Sequence, residues 1–181
     1  CIKGASFDGH SVAKQMLEKG AAAVVVEKDL GIENQIIVDN TRESYSPICA
    51  NFFDNPANEL KLIGLTGTNG KTTTTTLTGE IMKTAYSGTA VVGNIGIPYS
   101  EEVERLTEKD WVVAEISSFQ METIKEFHPA ASAITNITED HLNRHHTMEE
   151  YIRVKECITE NQTMDDLCVL NYEDEILRPF G

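Results

Sequence analysis

At 181 residues with 40% hydrophobic content, the chain can bury a core and form one full domain or one and a half, which excludes disorder as the default. Fifteen basic against 29 acidic side chains give a formal net charge of -14, so a nucleic-acid surface, which needs Lys and Arg in excess on one face, is not expected. No apolar stretch approaches the ~20 residues that span a bilayer, Cys1-Ile2-Lys3-Gly4 lacks signal-peptide regions, and Cys1, Cys49, Cys157 and Cys168 show neither a Cys-x-x-Cys pair nor regular spacing, so a cytoplasmic protein without membrane insertion, zinc knuckle or disulfide framework is expected.

In chain order, Asp8-Gly9-His10 opens a turn, Val12, Met16 and Leu17 recur at helical spacing, and Gly20 closes the helix before a strand over Ala21 to Val26. A second strand is expected at Gln35 to Val38, and a helix from Ser46 to Phe53 that ends at Asn55-Pro56. Residues 1–58 thus read as a partial small α/β domain. Leu60 to Leu65 is a strand that enters a glycine-rich loop, and the loop passes into a helix from Lys71 to about Thr84. Further strands are expected at Ala90 to Val92, Trp111 to Ile116, Ala131 to Asn136 and Leu167 to Leu170, with helices at Met121 to Phe127 and Thr147 to Asn161. This alternation over residues 59–181 predicts an α/β fold of P-loop type, with a mostly parallel sheet flanked by helices on both faces. The start at Cys1 and the loop-like end Arg178-Pro179-Phe180-Gly181 read as a piece of something longer.

The strongest chemical signal is Thr66-Gly67-Thr68-Asn69-Gly70-Lys71-Thr72-Thr73 between strand and helix. Glycines let the backbone curl so that the amides of Gly67 to Thr73 face phosphate oxygens, Lys71 adds a mobile positive charge, and the Thr72 hydroxyl is placed to ligate Mg²⁺. Leu65 stands where the strict phosphate-loop pattern has its first glycine, so the motif is a variant. Glu115 falls at the carboxyl end of a strand, where ligands of open sheets collect and a carboxylate can hold the Mg²⁺ of a nucleotide. Ser117 and Ser118 suit either substrate contact or helix capping, and the Asn94 loop either acceptor binding or a plain turn. His141 and His145 are four apart, but Leu142 stands where a zinc protease has Glu, so zinc is not expected.

The variant loop resembles the nucleotide loop of the Mur ligase family, and similar blocks follow in order: Gly93-Asn94-Ile95-Gly96-Ile97-Pro98, Glu115 to Gln120, Thr135 to Leu142, and Tyr151-Ile152-Arg153-Val154-Lys155. The blocks most resemble members that add D-glutamate to UDP-N-acetylmuramoyl-L-alanine, whereas Cys1 to Gly4, Phe7 to His10 and Phe52 to Pro56 look like members that add the third amino acid. The resemblance implies an ATP- and Mg²⁺-dependent ligase of cell-wall precursor synthesis, whose partners are a UDP-N-acetylmuramoyl precursor and an amino acid. It implies that Glu115 pairs with Thr72 at one magnesium ion, that His141 serves a second, and that Lys155 is carbamylated to become an oxygen ligand for that second ion. On the helix pattern alone Lys155 reads as a solvated lysine. A folylpolyglutamate synthetase and a nucleotide-binding module without ligase activity are the competing readings.

Overall fold

The computed structural model describes residues 1–4 and 6–181, and the chain divides into two compact units, Cys1–Phe52 and Phe53–Gly181. In the first, a 3-10 turn at Gly9–Val12 leads into helix α1 (Ala13–Glu18), followed by the parallel strands β1 (Val24–Val26) and β2 (Gln35–Ile37) and helix α2 (Thr41–Phe52). Asp8 caps the opening turn by accepting the His10 N–H, and Gly20, at φ +102°, ends the helical segment. Ala13, Val24 and Val26 form a small buried core with Met16, Leu17 and Ile32 against it. The strand expected from Ala21 is shorter, beginning at Val24, and the helix expected from Ser46 starts a turn earlier. Two tertiary and local caps explain the earlier start. Asn40 Oδ1 accepts the N–H groups of Arg42 and Glu43, and Glu27 takes both the Thr41 N–H (2.9 Å) and its hydroxyl (2.8 Å). Pro47 therefore lies inside the helix rather than at its first turn.

The second unit is a five-stranded parallel sheet: β3 (Lys61–Thr66), β4 (Ala90–Gly93), β5 (Trp111–Glu115), β6 (Ala131–Ile134) and β7 (Leu167–Leu170), in the order β4-β5-β3-β6-β7. The register pairs Leu62 with Val112 and Ala90 with Val112, and Thr66 with Ile134. Side chains alternate across each strand, so one face gathers Leu62, Ala90, Val92, Val112 and Ile134. On the Ile134 side of that face pack α5 (Ser118–Met121), α6 (Leu142–His145) and α7 (Met148–Glu156), contributing Met121, Tyr151 and Val154, while Leu60, Tyr99 and Phe127 pack against Leu62, Ala90, Val92 and Val112. The opposite face carries Leu65 and Val113, both buried under α3 (Lys71–Ala85). Gly79 allows that approach, since a Cβ there would stand 2.2 Å from Val91 Cγ2. On this same face at β7, Leu167 and Val169 are exposed, so the expected two-sided cover stops short of the last strand.

Two helices differ from their expected bounds. The segment expected to be helical over Met121 to Phe127 is the four-residue α5 followed by turns: Ser117 starts it early through a capping box, and Phe127 precedes His128-Pro129, where proline disfavours helix. The helix expected from Thr147 to Asn161 is α7, capped by the Thr147 hydroxyl accepting the Glu150 N–H, and it tightens to a 3-10 turn at Cys157–Thr159. Short helices at α4 (Tyr99–Glu102) and α6 were not anticipated. Among the described residues no helix is long and apolar enough to cross a membrane.

Candidate functional site

The carboxyl ends of β3, β4, β5 and β6 lie side by side, and the loops that leave them converge. Gly67 has φ +140°, and a Cβ there would meet Thr135 Oγ1 at 2.0 Å, so only glycine lets the loop pass this close to the end of β6. Gly70, at φ +77°, turns the chain into α3. The first bond within the helix is Thr74 N–H to Gly70 O, which leaves the amides of Lys71, Thr72 and Thr73 pointing from the N-terminus of a fifteen-residue helix.

Not every amide of the loop faces outward. Thr68 N–H donates to the Asn136 carbonyl (2.8 Å) and Asn69 N–H to Asn136 Oδ1 (2.9 Å), while Asn136 Nδ2 and Thr135 Oγ1 both donate to Asn69 O. Thr68 Oγ1 donates to Thr138 O and accepts the Thr138 N–H. The segment after β6 thus clamps the apex of the loop. Asn136 was not singled out in the sequence; its place two residues past the end of β6, facing a glycine-rich loop, is the signal that marks it.

The Lys71 amine donates to Thr68 O at 2.8 Å, lying back over its own loop. The Thr72 hydroxyl donates to Glu115 Oε2 at 2.7 Å, and Asn94 Nδ2 donates to Oε1 at 3.1 Å. Glu115 is 1% exposed, and among the described residues its carboxylate accepts from these two neutral donors and meets no cation. A buried carboxylate held by neutral donors is suited to a hard cation. Gly93 makes the contact possible: its φ is +99°, and a Cβ would lie 2.2 Å from the Glu115 carbonyl. Asn94 thus holds Glu115, a contact beyond the two uses, acceptor binding or a plain turn, that its loop suggested. Ser117 forms the capping box with Gln120, the commoner of its two expected uses.

Lys155 is 1% exposed, which overturns its reading as a solvated helix lysine. Its amine donates to Gly67 O at 2.8 Å and to Thr66 Oγ1 at 3.3 Å, and lies 4.9 Å from the centre of the Tyr151 ring. Burial pulls its pKa down to about 8; the Lys71 charge adds to the fall and Asp140 opposes it. His141 sits in left-handed backbone at φ +53°, half exposed, with its N–H on Asp140 Oδ1 and its ring 4.9 Å from that of Phe119. The structure therefore gathers Lys71, Thr72, Glu115, Asn94 and Lys155 around one loop, and His141 joins through Phe119. Thr73 stands exposed in the first turn of α3. His145, passed over in the sequence except as a zinc candidate, is buried with Nε2 2.9 Å from Ser118 Oγ, and burial lowers its pKa against the pull of Glu122.

Residues 65–180 match the Mur ligase middle domain. The chain belongs to the Mur ligase family. It is 62% identical over 118 residues to a UDP-N-acetylmuramoylalanine--D-glutamate ligase of Lachnoclostridium phytofermentans, covering 65% of this chain and 26% of that protein. A ligase of the same name from Thermoanaerobacter sp. is 43% identical over 177 residues, 97% of this chain and 39% of its own, so the similarity to D-glutamate ligases runs through the front segment as well. The chain spans between 26% and 39% of the length of these relatives. Among solved structures, MurF from Acinetobacter baumannii aligns with TM-score 0.70 at 22% identity over 98% of this chain and 41% of its own, and MurF from Thermotoga maritima in complex with ADP with TM-score 0.65 at 20% identity over 98% and 43%. These likenesses are of fold.

Proposed function

We propose that this chain is the phosphate-binding and metal-binding part of an ATP-dependent ligase that joins D-glutamate to UDP-N-acetylmuramoyl-L-alanine in peptidoglycan precursor synthesis. The names of the relatives support the substrates, and the buried Glu115 carboxylate accepting the Thr72 hydroxyl beneath the loop carries the nucleotide and metal assignment. The part ahead of residue 59 is read as a portion of a UDP-substrate-binding domain and residues 59–181 as part of the ATP-binding domain. The structural division falls earlier, at Phe52, because Ala57 and Leu60 pack onto the core of the second unit. The four cysteines are free, which suits a reducing cytoplasm.

In the first step an acceptor carboxylate oxygen bonds to the γ-phosphorus of ATP, the bridging P–O bond breaks, and ADP leaves with the electron pair. In the second, the amino nitrogen of D-glutamate bonds to the acyl carbon and gives up a proton to solvent, the C–O bond breaks with its electron pair going to phosphate, and an amide and phosphate result. Magnesium, when bound, supplies positive charge beside the phosphoryl oxygens. The residues here fit it: Thr72 and Glu115 offer hard oxygens at one position, and His141 and a modified Lys155 would serve a second. Lys71 exchanges its bond to Thr68 O for a phosphate oxygen, and the first amides of α3 orient the anion. Lys155 supplies a neutral amine at a lowered pKa, and its nitrogen bonds to the carbon of CO₂ with loss of a proton, giving an anionic carbamate. Asn94 and Asn136 hold Glu115 and the loop in place. The test is ligation in a protein of the relatives' length that contains this segment. Lys71→Ala is expected to lose ATP-dependent amide formation from UDP-N-acetylmuramoyl-L-alanine and D-glutamate, and phosphate release indifferent to the muramoyl acceptor in the unaltered protein would overturn the ligase reading in favour of a nucleotide-binding module.

A further inference from the structure

Four rings form a column through the site. His141 and Phe119 have centroids 4.9 Å apart, Phe119 stacks on His145 at 5.7 Å and 22°, and His145 meets Tyr151 at 5.2 Å. The column ends at functional groups on both sides. His141 stands at one end, and at the other the Lys155 amine lies over the Tyr151 ring, while the Tyr151 hydroxyl is 3.3 Å from Thr68 Oγ1 of the phosphate loop. Its rings come from α5, α6, α7 and the loop before α6, so it ties together elements that the sheet alone does not join.

His145 is the central buried member, 3% exposed; its Nε2 lies 2.9 Å from Ser118 Oγ, and its Nδ1 faces Glu122 Oε1 across 3.5 Å. Glu122 is in turn held by the Arg144 guanidinium. An apolar residue would fill this space, but it would not fix rotation about the ring axis. The hydrogen bond to Ser118 does, with Glu122 facing the other nitrogen, and it thereby sets the faces that Phe119 and Tyr151 lie against.

We propose that His145 is a positioning residue for the ligation, locking Phe119 and Tyr151 and through them holding His141 and Lys155 in register with the phosphate loop. The inference rests on the ligase reading above. The loop has its own clamp on Asn136, independent of the column, so loss of His145 should disturb the chemistry more than the hold on ATP. Catalytic groups displaced by about 1 Å lose on the order of 10²-fold in rate.

The experiment uses the ligase at the length of its relatives. His145→Ala is expected to lower kcat by about 10²-fold while KM for ATP stays within about two-fold, the pattern of an interaction made in the transition state. The ¹³C signal of a Lys155 carbamate in labelled bicarbonate should weaken or shift in the same variant. His145→Phe restores a ring between Phe119 and Tyr151 but none of the polar contacts, and should recover no more than about ten-fold of the lost rate. Wild-type kcat in a folded His145→Ala or His145→Phe protein overturns the proposal. If His145→Ala does not fold, Phe119→Leu removes a neighbouring ring at a 43% exposed position, and an unchanged kcat there has the same force. Phosphate release indifferent to the muramoyl acceptor in the unaltered protein would defeat the ligase reading itself. Full turnover of His145→Ala beside an inactive Lys155→Ala defeats this inference alone.

Discussion

Lys155 shows how one buried side chain can tie stability to chemistry. A charged amine out of water is costly, and here the cost is met in part by Gly67 O and the Tyr151 ring, leaving the pKa at about 8 against an ordinary 10.5. Between those two values the unfolded chain binds more protons than the folded one, so stability rises with pH from about 8 to about 10.5, by up to ~1.4 kcal/mol per unit. Below pH 8 the amine is charged in both states and the full penalty is present. Lys155→Met is expected to flatten this pH dependence and to be at least as stable at pH 7 in CO₂-free buffer, measured by denaturant unfolding across the pH series. In the ligase, Lys155→Ala should be nearly inactive and partly rescued by short carboxylic acids that supply the missing oxygen; full activity without them would leave the lysine with a structural role only.

At the level of loops and helices, two positions test how the site is held. Gly67→Ala places a methyl group against Thr135 Oγ1 in backbone that alanine resists, so the loop must leave the end of β6. We expect loss of nucleotide binding and a destabilisation of about 2 kcal/mol or more, read by calorimetry and unfolding on the same protein. Ser117 caps α5, so Ser117→Ala should cost about 1 kcal/mol and leave the rate of the folded enzyme unchanged. A drop in kcat/KM for the muramoyl acceptor beyond that cost would return Ser117 to the substrate-contacting role.

For the molecule as a whole, the net charge of -14 sets a field that repels a nucleotide polyanion, and binding depends on the local donors of the loop and on a cation that offsets part of the triphosphate charge. MgATP at about 100 times its Kd should add ~2.7 kcal/mol and raise the melting midpoint by several degrees. ATP without magnesium should shift it less, and Lys71→Ala should remove most of the shift; equal shifts with and without magnesium would count against Glu115 and Thr72 as a metal position. By itself the sequence determined the order of the strands and of the longer helices and the phosphate loop, because hydrophobic periodicity and glycine punctuation are local signals. Glu115 was legible for the same reason, as a carboxylate at a predicted strand end. Only the tertiary structure decided that α2 begins at Thr41, since Glu27, fourteen residues earlier in the chain, takes both the N–H and the hydroxyl of that residue. It likewise decided that Asn94 orients Glu115, that Asn136 clamps the loop and that Lys155 is buried, because each depends on contacts between residues about 20 to 90 positions apart that no local pattern encodes.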